Sequence, residues 1–223
     1  MRYVFDNQKT YYAQFDVDRV IEEIYFPNQK TGNCIEVGAV DGVESSNTLV
    51  FEKMGWNCLC IEPQPGLGYY ESLKNNRKLA LNYAISSKET DDATFTVVYC
   101  SPDWLGGQKR AWNGMSGLVV DERLIEQHEK LDMHPDKQEI KVKTRRLDWC
   151  IENHFNHETI DFITIDVEGT ELDVLQSFDV NKYNTRLMVI ENNFNDPDVE
   201  NYLKPLGWKK DRREEINDFY VKV

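Results

Sequence analysis

Apolar residues fall in short runs, each closed by a glycine, an acid or a proline and followed by a stretch with helical spacing. Residues 33–38 (NCIEVG) predict a buried strand ending at glycine, and residues 46–54 (SNTLVFEKM) a helix opened by Ser46 and Asn47 and closed by Gly55. Residues 57–62 (NCLCIE) predict a second strand stopped by Pro63 and Pro65, then a polar-faced helix over 69–77 and a third strand over 79–85. Residues 94–99 (TFTVVY) add a further β-rich stretch. In the second half, residues 139–145 alternate as a half-exposed strand and LDWCIENH follows as a short helix. Residues 160–167 predict a buried strand, 170–178 a helix with Leu172, Leu175 and Phe178 at helical spacing, and 187–192 another buried strand. The tail from Gly207 reads as two strands joined by a charged turn, an antiparallel edge to the sheet. Strand alternating with helix predicts an α/β, Rossmann-like, doubly wound and mostly parallel sheet with right-handed crossovers.

Composition narrows the function without changing the fold. The 223 residues suit one domain, 1–223, with a helical extension over 1–30. Its 39 acidic and 26 basic side chains give a formal charge of -13, which argues against nucleic acid as a partner. No apolar run approaches the roughly 20 residues of a membrane span, and the N-terminus has no secretory apolar core. Five cysteines without a CxxC pair point to buried, reduced thiols and a cytoplasmic location.

In such a sheet the ligand binds at the carboxyl ends of the strands, beside the topological switch point. The first strand ends Glu36-Val37-Gly38-Ala39-Val40-Asp41-Gly42. Two glycines four apart allow a tight turn and close approach to a ligand, but neither GxGxxG nor a P-loop lysine is present. Glu36 and Asp41 would repel a phosphate and welcome an amine or a sulfonium. Glu62 closes the second strand twenty-four residues after Gly38, near the roughly 20 expected of a ribose-binding acid. Together these features fit S-adenosylmethionine as the cofactor; the bland alternative is a plain strand-to-helix turn.

The segment IEVGAVDGVESSNTLVFEKMGWNCLCIEPQPGLGYYESLKNNR with LNYAIS, and the later TRRLDWCIENHFNHETIDFITIDVEGTELDVLQSFD with LMVIENN, resemble the FkbM family of S-adenosylmethionine-dependent methyltransferases. The resemblance runs from about Tyr12 to about Trp208. It implies a class I methyltransferase fold, seven strands with an antiparallel C-terminal strand, and O-methylation of sugar or secondary-metabolite hydroxyls. Carried over by position, Glu36, Gly38, Ala39, Asp41 and Gly42 would form the cofactor loop, with Ser46 and Asn47 opening the helix behind it. Glu62 would hold the ribose, and Asn82 to Ala84 would lie near the adenine.

IDVEGTE places Asp166, Glu168 and Glu171 at a strand end, and the neighbouring strand ends Glu191-Asn192-Asn193. Asp166, Glu191 and Asn192 would make a hard oxygen site for Mg²⁺ or Mn²⁺, whereas Glu168, Glu171 and Asp173 also simply suit a helix N-terminus capped by Thr170. Asp166 is the first choice of catalytic base and cofactor neighbour, with Glu168 and Glu191 the other catalytic carboxylates. His128, His134, His154 and His157 read as surface residues. Residues 101–120 hold Gly106, Gly107, Gly114 and Gly117 with Trp104, Trp112, Lys109 and Arg110, either a lid over the acceptor or a plain connection with core tryptophans.

The leading expectation is an O-methyltransferase acting on a hydroxyl of a sugar or glycan, a deoxysugar for example. An NAD- or nucleotide-sugar-dependent oxidoreductase is opposed by the missing third glycine and the acidic loop. A catalytically silent methyltransferase-like binding module is the non-enzymatic alternative. No Asn/Asp-Pro-Pro-aromatic motif is present to favour N-methylation.

Overall fold

The computed structural model describes residues 9–64, 68–102, 110–111, 113–155 and 159–223, with backbone alone for Arg110, Ala111 and Asn113. Five strands run parallel in its main sheet: β1 (Asn33–Val37), β2 (Asn57–Ile61), β3 (Ala80–Leu81), β8 (Phe162–Ile165) and β9 (Leu187–Glu191). Strand β11 (Asn217–Lys222) pairs antiparallel with β9 and with β10 (Trp208–Glu214), giving the order β10-β11-β9-β8-β1-β2-β3. The expected seven-stranded, mostly parallel sheet with its antiparallel C-terminal strand is therefore present.

Each central strand is apolar on both faces because helices cover both. Residue parity sorts the sheet into two cores. Ile35, Val37, Leu59, Ile61, Ile163 and Ile165 belong to one. Cys34, Cys58, Cys60 and Phe162 belong to the other, where Trp56, Phe51 and Phe26 pack edge-on and tilted around Phe162. All five cysteines are buried and free. Helices α2 (Leu49–Met54) and α3 (Tyr69–Asn76) follow β1 and β2, and α6 (Glu171–Leu175) and α7 (Asp198–Leu203) follow β8 and β9. Upstream, α1 (Val17–Val20) runs into a π-helical turn, Ile21–Tyr25, that seats Ile21 against the second core.

The expected third strand, 79–85, divides. Its first half joins the main sheet as β3, whereas β4 (Ala84–Ile85) pairs with β7 (Asp136–Arg145). Strand β7 is antiparallel to β5 (Thr90–Cys100), which also pairs with β6 (Arg110–Ala111), giving a second sheet, β4-β7-β5-β6. Helix α4 (Glu122–Glu129), capped by Asp121, packs on this sheet through Leu124 and Ile125, and α5 (Leu147–Cys150) leads back to β8. The second sheet stands over the carboxyl edge of the first and makes one wall of the cavity described next. No helix among the described residues is long and apolar enough to cross a membrane.

Candidate functional site

A cleft enclosing about 810 Å³ of space, open solvent at its mouth included, lies at the carboxyl ends of β1, β2 and β8. Neighbouring strands β1 and β8 lead to connections on opposite sides, so the cavity sits at the switch point of the sheet. Val37, Gly38, Val40, Glu62, Gln64 and Asp166 line its floor, and Phe95, Ser116 and Leu118 of the second sheet and its loop face them.

Gly38 is where chain chemistry dictates the geometry. Its φ is +87°, and a Cβ there would lie 1.7 Å from the Asp166 carbonyl oxygen. The loop after β1 can thus press against the end of β8, and backbone bonds from Gly38 and Ala39 to the Ile61 carbonyl fix it to β2. Glu62 is buried; its Oε2 accepts from the Val40 amide at 3.0 Å and its Oε1 from the Gln64 amide at 3.0 Å. Burial pushes its carboxyl up to about 7 against those two amides. The Asn82 amide donates to the Glu62 carbonyl at 3.0 Å, so it braces this strand end from behind. Ala84 lines the cavity directly.

Glu36 plays a different part from its neighbour Val37. It lies on the other face of β1, register partner of Cys60, and its carboxylate is buried beneath the loop. Its Oε2 accepts from Ser46 Oγ (2.9 Å), Thr48 Oγ1 (2.5 Å) and Arg77 Nη1 (3.1 Å), and its Oε1 from the Asn47 amide (2.6 Å). Ser46 and Asn47 are therefore tied to Glu36 and do not line the cavity, and the helix begins only at Leu49. Asp41 Oδ1 caps the Val43 and Glu44 amides at 2.8 Å each, and Gly42 packs over Leu73 and Arg77. Of the expected cofactor residues, Gly38, Glu62, Ala84 and Asp166 line the cavity. Glu36, Ala39, Asp41, Gly42, Ser46, Asn47 and Asn82 shape and hold its loops.

Two acids of the cavity, Asp166 and Glu168, meet Glu191, which lines the neighbouring pocket and not this one. Oxygens of Asp166, Glu168 and Glu191 lie within 4.8 Å of one another. Glu168 stands at φ 62°, and its Oε2 is buried without a hydrogen-bond partner. Glu171 caps the same loop, its Oε1 accepting from the Val167 amide (3.3 Å) and the Gly169 amide (3.0 Å). Burial and the Glu171 charge push the Asp166 carboxyl up to about 7. Burial, then Asp166 and Glu171, raise Glu168, and burial with the same three acids raises Glu191. Asn192 stands apart from this cluster. Its Nδ2 donates to the Asp196 carbonyl and to Asp218 Oδ2 at 2.9 Å each, and its Oδ1 accepts from the Asp196 amide at 2.8 Å.

Among the contributors to the cavity that escaped the sequence reading are Gln14, from the segment before β1, and Gln64, whose Oε1 is buried without a partner. No motif marks either. Trp104, Gly106, Gly107, Lys109, Trp112 and His157 lie outside the described residues, as does Pro65; of the expected lid, Gly114, Ser116 and Leu118 line the cavity. His128 Nδ1 sits 2.8 Å from the Leu124 carbonyl at the end of α4, away from the site.

The lining suits a cationic ligand. Glu62, Asp166 and Glu168 face the cavity and no lysine or arginine joins them among the described residues, a setting that opposes a pyrophosphate and favours a sulfonium or ammonium. The orphan oxygen of Gln64 offers an acceptor for an exocyclic amine, and Glu62 keeps lone pairs for hydroxyl groups. A family profile described as the Methyltransferase FkbM domain matches residues 36–213, most of the chain and all of this site except Gln14. No curated protein matches the chain.

Proposed function

The chain belongs to the FkbM methyltransferase family, and from that premise we propose that it transfers a methyl group from S-adenosylmethionine to a hydroxyl oxygen of a sugar or glycan acceptor. The observation that carries this reading is Asp166. It closes β8 at the cavity floor with a carboxyl pushed up to about 7, where a general base works best near neutral pH. The cofactor, when bound, supplies an electrophilic methyl on a cationic sulfur. Gly38 lets the loop after β1 close against it, Glu62 accepts from its ribose hydroxyls, and the Gln64 oxygen accepts from its adenine amine. Asp166 holds the acceptor hydroxyl and takes its proton as the new bond to oxygen forms. The cavity wall of Phe95 and Leu118 keeps water from the reacting atoms. Asp166→Asn should abolish turnover while S-adenosylhomocysteine binding, though weakened, remains measurable. Near-normal rates in that variant remove Asp166 from the chemistry.

A second reading adds a divalent ion. Three carboxylates this close are stable together only if they share protons or a cation, and the unpartnered Glu168 oxygen favours the cation. Asp166, Glu168 and Glu191 would hold Mg²⁺ or Mn²⁺, which would lower the pKa of an acceptor hydroxyl. Activity should then be lost in EDTA and restored by either ion; indifference to EDTA leaves Asp166 as base alone.

A further inference from the structure

Residues 9–26 lie ahead of the family match and cross over the cofactor loop. A parallel bridge joins Ala13 to Ser45, and both Gln14 and Ser45 line the cavity. This crossing is anchored at one end by Val17, Ile21 and Phe26, all buried in the second core. At the other end the buried Asp18 carboxylate accepts from the Tyr12 amide at 2.7 Å and the Arg19 amide at 2.9 Å. Between the anchors, Phe15 and Asp16 both stand at φ 57°, and Ser45 across the bridge at φ 56°. Non-glycine residues stay in that left-handed region only where their surroundings hold them there. The segment is a strap, fixed on both sides, and Gln14 is the residue it presents to the cavity.

What Gln14 meets follows from the charge of the site. The amino acid end of S-adenosylmethionine carries a carboxylate as well as an ammonium. Asp166 and Glu168 receive the cationic groups and Glu62 the ribose, but no cation among the described lining residues is there for the carboxylate. Thr170 follows Glu168 by two residues, a poor neighbour for an anion, and the Ser116 hydroxyl is engaged at the Val98 amide, from which it accepts at 3.0 Å. We propose that Gln14 and Ser45, tied together by the bridge, form the subsite that holds the cofactor's carboxylate through neutral donors. The inference rests on the cofactor reading above and extends it to a segment that the family match does not include.

The test compares two ligands by isothermal titration calorimetry: S-adenosylhomocysteine, and 5′-methylthioadenosine, which lacks the amino acid. A hydrogen bond from a neutral donor to a charged acceptor is worth ~1.5–3 kcal/mol, so Gln14→Ala should weaken S-adenosylhomocysteine about ten- to hundredfold. Gln14→Glu, which sets a second anion against the carboxylate, should weaken it further. Both variants should leave 5′-methylthioadenosine unchanged and, because Gln14 is exposed, the melting midpoint too. Equal losses for the two ligands would mean that Gln14 only shapes the loop, and no loss for S-adenosylhomocysteine would remove the subsite; either overturns the proposal while the cofactor reading stands. Failure of the wild-type protein to bind S-adenosylhomocysteine overturns both.

Discussion

Replacing Arg77 by methionine tests whether the acids of the cofactor loop hold the protein or hold a ligand. The Arg77 side chain is 0% exposed, and its partners Glu36 and Glu52 are 3% and 7% exposed. Its guanidinium donates to Glu36 Oε2 at 3.1 Å, the Gly42 carbonyl at 3.2 Å, Ser46 Oγ at 3.0 Å and Thr48 Oγ1 at 2.7 Å, and stands 3.4 Å from Glu52. Methionine fills much of the volume but leaves two buried carboxylates without their counter-charge. Removing one member of a buried pair costs ~3–5 kcal/mol, and for a chain of this length each kcal/mol moves the midpoint by ~2–4 °C. The melting midpoint should fall by about 6–20 °C.

Glu36→Gln in the same background removes one of the stranded charges and should restore part of the loss, a coupling of ~1 kcal/mol or more. Circular dichroism melts and urea titrations of the wild type, both single variants and the double variant give the cycle. A drop below about 3 °C for Arg77→Met, or strictly additive effects in the cycle, would refute the account of Glu36 as the keystone of the loop. Glu36→Gln that lowered S-adenosylhomocysteine affinity without lowering stability would return Glu36 to the ligand.

The remaining predictions concern the cavity floor. Glu62 titrates near 7 and Asp18 near 6 in the folded protein, both above the ordinary carboxyl range and both because of burial. The folded state therefore keeps protons that the unfolded chain has released, so apo-protein stability should fall as pH rises from about 4 to about 7. Glu62→Gln should flatten that slope in pH-dependent urea titrations, and an unchanged slope would mean that Glu62 is not held as described. Gly38→Ala places a methyl group against the Asp166 carbonyl at a φ of +87° and should cost several kcal/mol, ~3 or more, as well as cofactor binding; a normal melting midpoint would show that the two loops are not in contact.

Much of this was legible because period and punctuation agree. The strands of the main sheet are short apolar runs bounded by turn residues, and helices covering both faces leave no other reading of NCIEV or FITI. The division of residues 79–85 was not legible: an apolar run gives no sign that its first half pairs with Cys60 and Ile61 and its second with Thr144 and Arg145. The floor acids were found by their position at strand ends, but their roles depend on facing. Alternation alone puts Glu36 on the side of Cys34 and Cys58, away from Val37 and the cavity, so that part was readable once strand parity was applied. Arg77 as its partner was not, since the two stand forty-one residues apart and meet only because α3 ends beside the Gly42 turn. Asn192 likewise reaches Asp218 because β11 returns beside β9, a contact between residues 26 apart.

The charge of the cavity gives the proposed reaction a direction. Glu62 and Asp166 both titrate near 7, so the number of negative charges on the floor depends on what occupies it. A cation at the floor draws protons off these acids and is held by the carboxylates it creates, more strongly for being in a medium of low dielectric constant. Methyl transfer would leave a neutral thioether where the cation had been. The carboxylates would then lose the sulfonium as Asp166 takes up the acceptor's proton, and the floor would return toward its neutral, protonated state. In the proposed reaction substrate would be held by charge that the transfer itself removes, so the same residues would favour binding before transfer and release after it. A floor of lysines or of permanently ionised, solvent-screened acids would not have this property; it follows from burying titratable acids beside one another with no fixed counter-charge among the described lining residues.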